Sequence, residues 1–344
     1  MARRREHSRP TITDVARVAG VAASTVSRAF SNPGRVNHVT RDHVLAVAEE
    51  LGYAPNPTAR ALESGRTNTM ALLVPDITNP YFAGVIKGAE RAASTVGLTL
   101  VLGDTQENAG QEQQLVRRLG PAVDGFVLSA SRMPDETLTD AARHNPVVLV
   151  NRAAPGLACV VADFESGSRQ IVDHLASLGH RGFVFLGGPA ESWSGARRWA
   201  GLGRAAEAVG LDATRFGPYA PVFAGGAAAA DAVVAAGATA VVCHNDMLAI
   251  GVLQRLAARG VAVPGQVSVV GFDDVFGAAF CSPPLTTLAE RTVEAGQHSI
   301  EMLAQPGLVT PGVLERPPSR VLPTQLVVRS SSGPAPAAEV SARG

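Results

Sequence analysis

Residues 11–62 read TITDVARVAGVAASTVSRAFSNPGRVNHVTRDHVLAVAEELGYAPNPTARAL, and the reading of this stretch governs that of the whole chain. Thr11 stands three residues before Asp14, a spacing at which a hydroxyl and a carboxylate can close the free amides of a first helical turn. Ile12, Val15, Ala16 and Ala19 then recur at helical spacing, which predicts a helix over 12–19. Gly20 permits a tight turn, and a second helical pattern runs through Thr25, Val26, Ala29 and Phe30. Ala16 is small enough to admit the second helix at a steep crossing, with Val21 and Val26 filling the core between the two. The outward face of the second helix, Ala23, Ser24, Thr25, Ser27 and Arg28, is small or polar and carries one guanidinium. Such a face can enter a major groove, where arginine donates two hydrogen bonds to the edge of a guanine. Asn37 can cap a third helix whose inward stripe is Val44, Leu45, Ala48 and Leu51, and Gly52 ends it. Asn56 and Pro57 then restart a helix running to about Leu62, too short to be stable alone.

The whole stretch resembles the headpiece of the lactose-repressor (LacI) family. The resemblance implies that Ala23, Ser24 and Arg28 read bases, and that Thr25, Ser27 and Asn37 hold phosphates or cap helices. It also implies that Asn56, Ala59 and Leu62 belong to a hinge helix, which pairs with that of a second subunit. Leu62 would there wedge a base step in the minor groove. One departure is visible: the family commonly has serine at the start of the second helix, where this chain has Ala22.

Charge separates the front of the chain from the remainder. Residues 1–66 hold ten arginines against six acidic residues, while the rest holds 20 basic and 24 acidic residues, so a basic head precedes an acidic body. A basic head suits an anionic partner. Cys159, Cys243 and Cys281 are odd in number, widely spaced and set among apolar residues, which predicts free thiols in a reducing compartment rather than a disulfide or a metal site. The first residues are arginine-rich with no apolar stretch after them, and no run approaches membrane-spanning length, so a cytoplasmic protein with no membrane partner is expected.

From Thr69 onward, apolar runs of strand length alternate with amphipathic helical stretches. TMALLVPD, LTLVLGD, DGFVLSA and PVVLVN predict strands, with helices near 80–95, 110–119 and 134–143. A second series, GFVFLGG, ATAVVCHND and VSVVGFDD, alternates with helices near 165–178, 196–209, 226–236 and 247–259. PPLTTL and TQLVV, with a helix near 291–304 between them, resemble the family's returning crossovers. Continuous apolar strands between helices imply parallel sheets covered on both faces. The expected fold class is therefore α/β: an N-terminal all-α helix-turn-helix headpiece plus a two-lobed parallel-sheet body resembling periplasmic binding proteins. The expected divisions are a flexible basic tail (1–10), the headpiece (11–55), hinge helix and linker (56–66), an effector-binding and dimerisation body (67–329), and a disordered Ser/Ala/Pro-rich tail (330–344).

Ligands of open α/β sheets bind beyond the carboxyl ends of the strands, so the polar residues just after each apolar run are the candidates. They are Tyr81 and Phe82 after the first strand, then Ser129, Asn151 and Arg152, Trp193, Arg197 and Arg198, Asn245 and Asp273. Aromatic faces with amides, carboxylates and guanidinium suit a small polar ring. Trp193 can stack on a ligand or belong to the core, and Tyr81 and Phe82 can stack or pack. Between Arg197 and Arg198 the register favours Arg198. Asp246 reads as a helix cap and Asp274 as a supporting or interlobe residue.

Walker-type GxxxxGK[ST], GxSxG and a GxGxxG opening a helix are absent from the sequence, so no catalytic residue, cofactor or metal is assigned. The shared architecture also admits a sugar-binding transport component, but that reading predicts a secretory signal and no headpiece. The resemblance implies instead a homodimeric regulator of a pseudo-palindromic double-stranded DNA operator, commonly a repressor released by a carbohydrate effector. A purine or nucleoside co-repressor is the alternative.

Overall fold

A computed structural model describes residues 10–31, 33–54 and 65–337 and divides into two compact units, 1–68 and 69–344. In the first unit, α1 (Ile12–Ala19) begins at a complete capping box. Thr11 N–H donates to the Asp14 carboxylate at 3.0 Å, and Asp14 N–H returns a 3.4 Å bond to the Thr11 hydroxyl. Gly20, at φ +67°, ends the helix in the left-handed conformation that a side chain would resist. α2 (Ala23–Ser31) follows, with the Ala22 carbonyl accepting from Thr25 and Val26. α3 (His38–Glu50) starts where Asn37 accepts a 2.9 Å bond from Val39 N–H. Val15, Ala16, Val26, Ala29, Val44, Val47 and Ala48 form the core, with Phe30 and Tyr53 edge to face at 5.9 Å. Leu45, expected inside, is 37% exposed; the inward stripe passes through Val47 instead.

The second unit holds two six-stranded sheets. The first contains β1 (Thr69–Val74), β2 (Thr99–Asp104), β3 (Gly125–Ser129), β4 (Val147–Val150), β5 (Ala158–Ala162) and β11 (Ser319–Leu322), all parallel in the order β11-β5-β4-β3-β1-β2. The second contains β6 (Gly182–Leu186), β7 (Asp212–Phe216), β8 (Ala240–Cys243), β9 (Ser268–Asp273), β10 (Thr286–Ala289) and β12 (Gln325–Val327), in the order β12-β10-β9-β8-β6-β7. β12 alone runs antiparallel there. Helices α4 (Pro80–Thr95), α5 (Ala109–Leu119) and α6 (Asp135–His144) connect the first sheet. The second is connected by α7 (Phe164–Ser177), α8 (Trp193–Val209), α9 (Gly226–Ala235) and α10 (Asp246–Ala258). The chain crosses between lobes three times, after β5, after β10 and between β11 and β12, because α11 (Thr292–Ala304) and β11 return to the first lobe.

That return is sealed by glycines. A Cβ on Gly88 of α4 would lie 1.9 Å from the Val293 carbonyl oxygen, and one on Gly296 of α11 would lie 2.0 Å from that of Val85. Both obstacles are backbone, so no rotamer change relieves them. Gly88→Ala is expected to lower stability by about 1–3 kcal/mol through forced separation of the two helices, measured as a lower urea midpoint.

The end of the chain departs from expectation. Ser330 to Ala337, anticipated as part of a disordered tail, lies along the second lobe, where the Ser331 carbonyl accepts from Val269 N–H at 2.7 Å. The Ser331 hydroxyl accepts from Thr286 N–H at 2.8 Å and donates to the Val269 carbonyl at 2.6 Å. Ala335 N–H reaches Leu178 O at 2.8 Å. The small hydroxyls satisfy backbone groups left open between β9 and β10, a role that composition does not announce. No described helix is long and apolar enough to cross a membrane.

Candidate functional site

In the first unit, α2 presents one face inward and one outward. Val26 and Ala29 are buried, while Ala23, Ser24 and Arg28 are exposed and Thr25 and Ser27 half-exposed. The residues expected to meet bases therefore share a solvent-facing surface, and Asn37 acts on its own helix as a cap. Asn56, Ala59 and Leu62 lie outside the described residues.

In the second unit, the carboxyl ends of the strands face a narrow cleft between the lobes. Its lining includes Asn79, Tyr81, Phe82, Glu107, Ala130, Arg132 and Asn151 from the first lobe, and Ser194, Arg198, His244, Asn245 and Asp273 from the second. Arg198 is its centre. The side chain is 3% exposed, and Nη2 bonds Asp273 Oδ1 at 2.9 Å and Glu290 Oε1 at 2.7 Å. Nη1 donates to the His244 carbonyl, and the guanidinium lies over the rings of Phe272 at 4.5 Å and Phe164 at 5.4 Å. Tyr81 completes the chain by donating its hydroxyl to Glu290 Oε2 at 3.0 Å. One continuous charged network thus joins the first helix of one lobe, a crossover and two strand or helix ends of the other.

The electrostatics follow from burial. Burial opposes the charge on Arg198, but Asp273 and Glu290 outweigh it and hold the guanidinium protonated. Burial pushes the Tyr81 phenol well up, with the Glu290 and Asp273 charges adding to it. Burial also drives the His244 imidazole well down, helped by Arg198, Arg132 and Arg215, so it is neutral at physiological pH. Arg132 is held by Glu107 at 2.6 Å, and its own N–H is accepted by the buried Glu112 carboxylate at 3.0 Å.

Strain collects at the same place. Ala130 (φ +46°), Asn151 (φ +55°) and Asp273 (φ +111°) all have left-handed backbones at the carboxyl ends of β3, β4 and β9. Non-glycine residues adopt this region at a cost, and such costs are retained where side chains must be aimed. Asn151 Oδ1 and His244 Nδ1 are buried without a hydrogen-bond partner among the described residues. Polar groups left open in a cleft invite a ligand's hydroxyls.

Not every candidate converges here. Arg152 turns away, donating to Met133 O at 3.0 Å and Asp135 at 2.6 Å. Arg197 is exposed and lies over the Trp193 ring at 5.0 Å, while Trp193 itself rests edge to face on Phe164 at 6.3 Å. Ser129 is buried at the end of β3. Asp246 is not the helix cap: Asn245 is, accepting from Leu248 N–H at 3.0 Å. Asp246 instead receives the Thr287 hydroxyl at 2.5 Å and Val275 N–H at 2.9 Å, and burial pushes its carboxyl up to about 7. Asp274 pairs with Arg329 at 2.7 Å.

Comparison with known proteins follows this division of the chain. Residues 11–56 match the family described as bacterial regulatory proteins, lacI family, and residues 172–332 match the periplasmic binding protein-like domain. Over 340 residues, 96% of this chain and 99% of the relative, the sequence is 31% identical to the HTH-type transcriptional repressor CytR of Escherichia coli (strain K12). The chain belongs to the LacI family. It is thus a DNA-binding transcriptional regulator with a ligand-binding type of body. The HTH-type transcriptional regulator GalR of Escherichia coli (strain K12) is 33% identical over 85% of this chain and 88% of its own. Among solved structures, the transcriptional regulator CelR–cellobiose complex is 30% identical, with a TM-score of 0.67 over 94% of this chain and 100% of that one. The lac repressor dimer bound to operator and the anti-inducer ONPF superposes with a TM-score of 0.82 at 24% identity, over 95% of this chain and 100% of that one, and supports the fold.

Glu290, His244 and Arg132 were absent from the sequence-based candidates. For Glu290 the signal was present, because it follows the apolar run of β10 just as Asp273 follows that of β9.

Proposed function

We propose that this LacI-family protein is a repressor whose affinity for a pseudo-palindromic operator is set by a sugar or sugar derivative held between the lobes of its body. The observation that carries the reading is the buried Tyr81–Glu290–Arg198–Asp273 network, flanked by Phe272 and Phe164 and faced by the open polar atoms of Asn151 and His244. Hydroxyls of a ring can exchange into such a network, so occupancy would alter contacts that span both lobes. Ligand-induced change in lobe geometry then reaches DNA through the hinge, residues 56–66. The carboxylates and guanidinium are committed to one another, and we read the cleft as a site that holds rather than reacts.

A homodimer follows from the two-fold character of such operators. Phe276 and Phe280, 83% and 65% exposed with rings 4.7 Å apart, supply apolar surface that a second copy would cover. The cytoplasm is the compartment in which this activity would be exercised.

The experiment is a titration of a fluorescent operator complex and, in parallel, calorimetry on the free protein, with a panel of mono- and disaccharides and nucleosides. A sugar that binds the body and releases operator is the expected result. A nucleoside that tightens operator binding would establish the co-repressor alternative. In the headpiece, Arg28→Ala is expected to weaken operator binding by about 1–3 kcal/mol and to relax preference at one base pair per half-site. Equal weakening on all sequences would make Arg28 a phosphate contact.

A further inference from the structure

We propose that Glu290 makes the interlobe cleft selective for an uncharged effector, by occupying, together with Asp273, the cationic head that an anionic ligand would seek. This rests on the reading of the cleft as the effector site and adds a charge requirement to it. Arg198 has one Nη2 shared between two carboxylates, its Nη1 on a carbonyl and an aromatic ring over the guanidinium. It cannot turn toward a phosphate without breaking two buried ion pairs. Arg132, the other guanidinium of the lining, is likewise held by Glu107.

Counting the charged groups, Glu107, Asp273 and Glu290 oppose Arg132 and Arg198, and His244 is neutral. The cleft therefore has no surplus positive charge, with or without a proton on Asp273. An anion entering it would lose its hydration and find every guanidinium already neutralised: Arg198 Nε has no hydrogen-bond partner among the described residues, but its guanidinium is shared between two carboxylates, and the Asn151 amide oxygen and the His244 ring nitrogen, likewise without partners, are uncharged. Ligand hydroxyls are the partners that such uncharged atoms accept. Discrimination arises here from repulsion of the wrong ligand as well as attraction of the right one. Phosphorylated sugars, uronic acids and nucleotides are the excluded classes; neutral sugars and nucleosides are the admitted ones.

The test uses the full chain with inorganic phosphate as the first probe, and chloride of equal ionic strength as control. The wild-type thermal midpoint is expected to be indifferent to phosphate. Glu290→Gln keeps the length of the side chain and an acceptor for Tyr81 but removes the charge, and is expected to acquire a phosphate-specific rise in midpoint. Glu290→Asp, which restores the charge, is expected to lose that rise. A wild-type chain stabilised by phosphate as well as Glu290→Gln is, or a folded Glu290→Gln chain still indifferent to phosphate, overturns the proposal. Should Glu290→Gln not fold, the wild-type arm decides alone, since any phosphate-specific rise there overturns it. As a second probe, matched hexoses and hexose 6-phosphates are compared on the wild type. A neutral hexose that binds should lose affinity on phosphorylation by on the order of 100-fold, and tighter binding of the phosphate form overturns the proposal. Failure of the underlying reading looks different: a neutral ligand would release operator yet be insensitive to Asn151→Ala.

Discussion

Arg198→Leu is expected to lower the unfolding free energy of the body by about 3–5 kcal/mol and to abolish the response to effector. The cost comes less from lost attraction than from what is left behind. The Asp273 and Glu290 side chains are 4% and 3% exposed, so removal of the guanidinium strands two carboxylates in a space with little water. They must either take up protons or draw solvent into the cleft. The His244 carbonyl loses its donor at the same time. A triple variant, Arg198→Leu with Asp273→Asn and Glu290→Gln, should recover much of the stability because no buried charge remains, yet still fail to respond. Urea unfolding of the two chains beside wild type checks the stability, and operator release with and without sugar checks the response. A loss below about 1 kcal/mol for the single variant would mean that the network behaves as a solvated surface pair.

Leu62→Ala should weaken binding to the operator by on the order of 100-fold while leaving non-specific DNA binding and ligand binding unchanged. Affinity for random duplex comes from phosphates, which a leucine does not touch. Specific binding, on the proposed reading, would draw on small side chains in the groove with Arg28 as one strong base donor, and a bent site stabilised by an apolar wedge would supply the remainder. Fluorescence anisotropy on operator and on scrambled duplex separates the two. Equal loss on both would assign Leu62 to folding of the linker.

The reader and the lobes were legible because their signals are local. Thr11 and Asp14, Gly20, and the apolar stripe of α1 specify a helix and its ends within ten residues, and the observed α1 has the predicted bounds. β5, β7 and β11 went unpredicted. β7 and β11 are edge strands with polar or exposed residues, Asp212 to Phe216 and Ser319 to Leu322, and β5 is a short apolar run lacking a following turn signal. In the cleft, the rule of looking just past each strand located Tyr81, Phe82, Asn151, Asn245 and Asp273, whereas Arg198 lies well beyond β6, inside α8. The rule could not tell Arg152, which leans on the N-terminus of α6, from a residue that faces inward, because direction is set by tertiary contacts. Glu290 shows the opposite limit. It satisfied the same rule, but its importance depends on Arg198, 92 residues away in sequence, and on Tyr81, 209 away. The packed stretch at Ser331 is illegible for a related reason: its composition is that of a loop, and its order comes from backbone groups of β9 and β10 that need partners.

The most direct test is selection of binding sites from random duplex DNA by the purified 344-residue chain, run beside Arg28→Ala. A regulator that docks α2 of two subunits in successive major grooves should enrich a pseudo-palindromic motif, and the variant should lose one base preference in each half. Enrichment of no motif, or of an asymmetric one indifferent to Arg28, would contradict the assignment of this headpiece as a symmetric DNA reader.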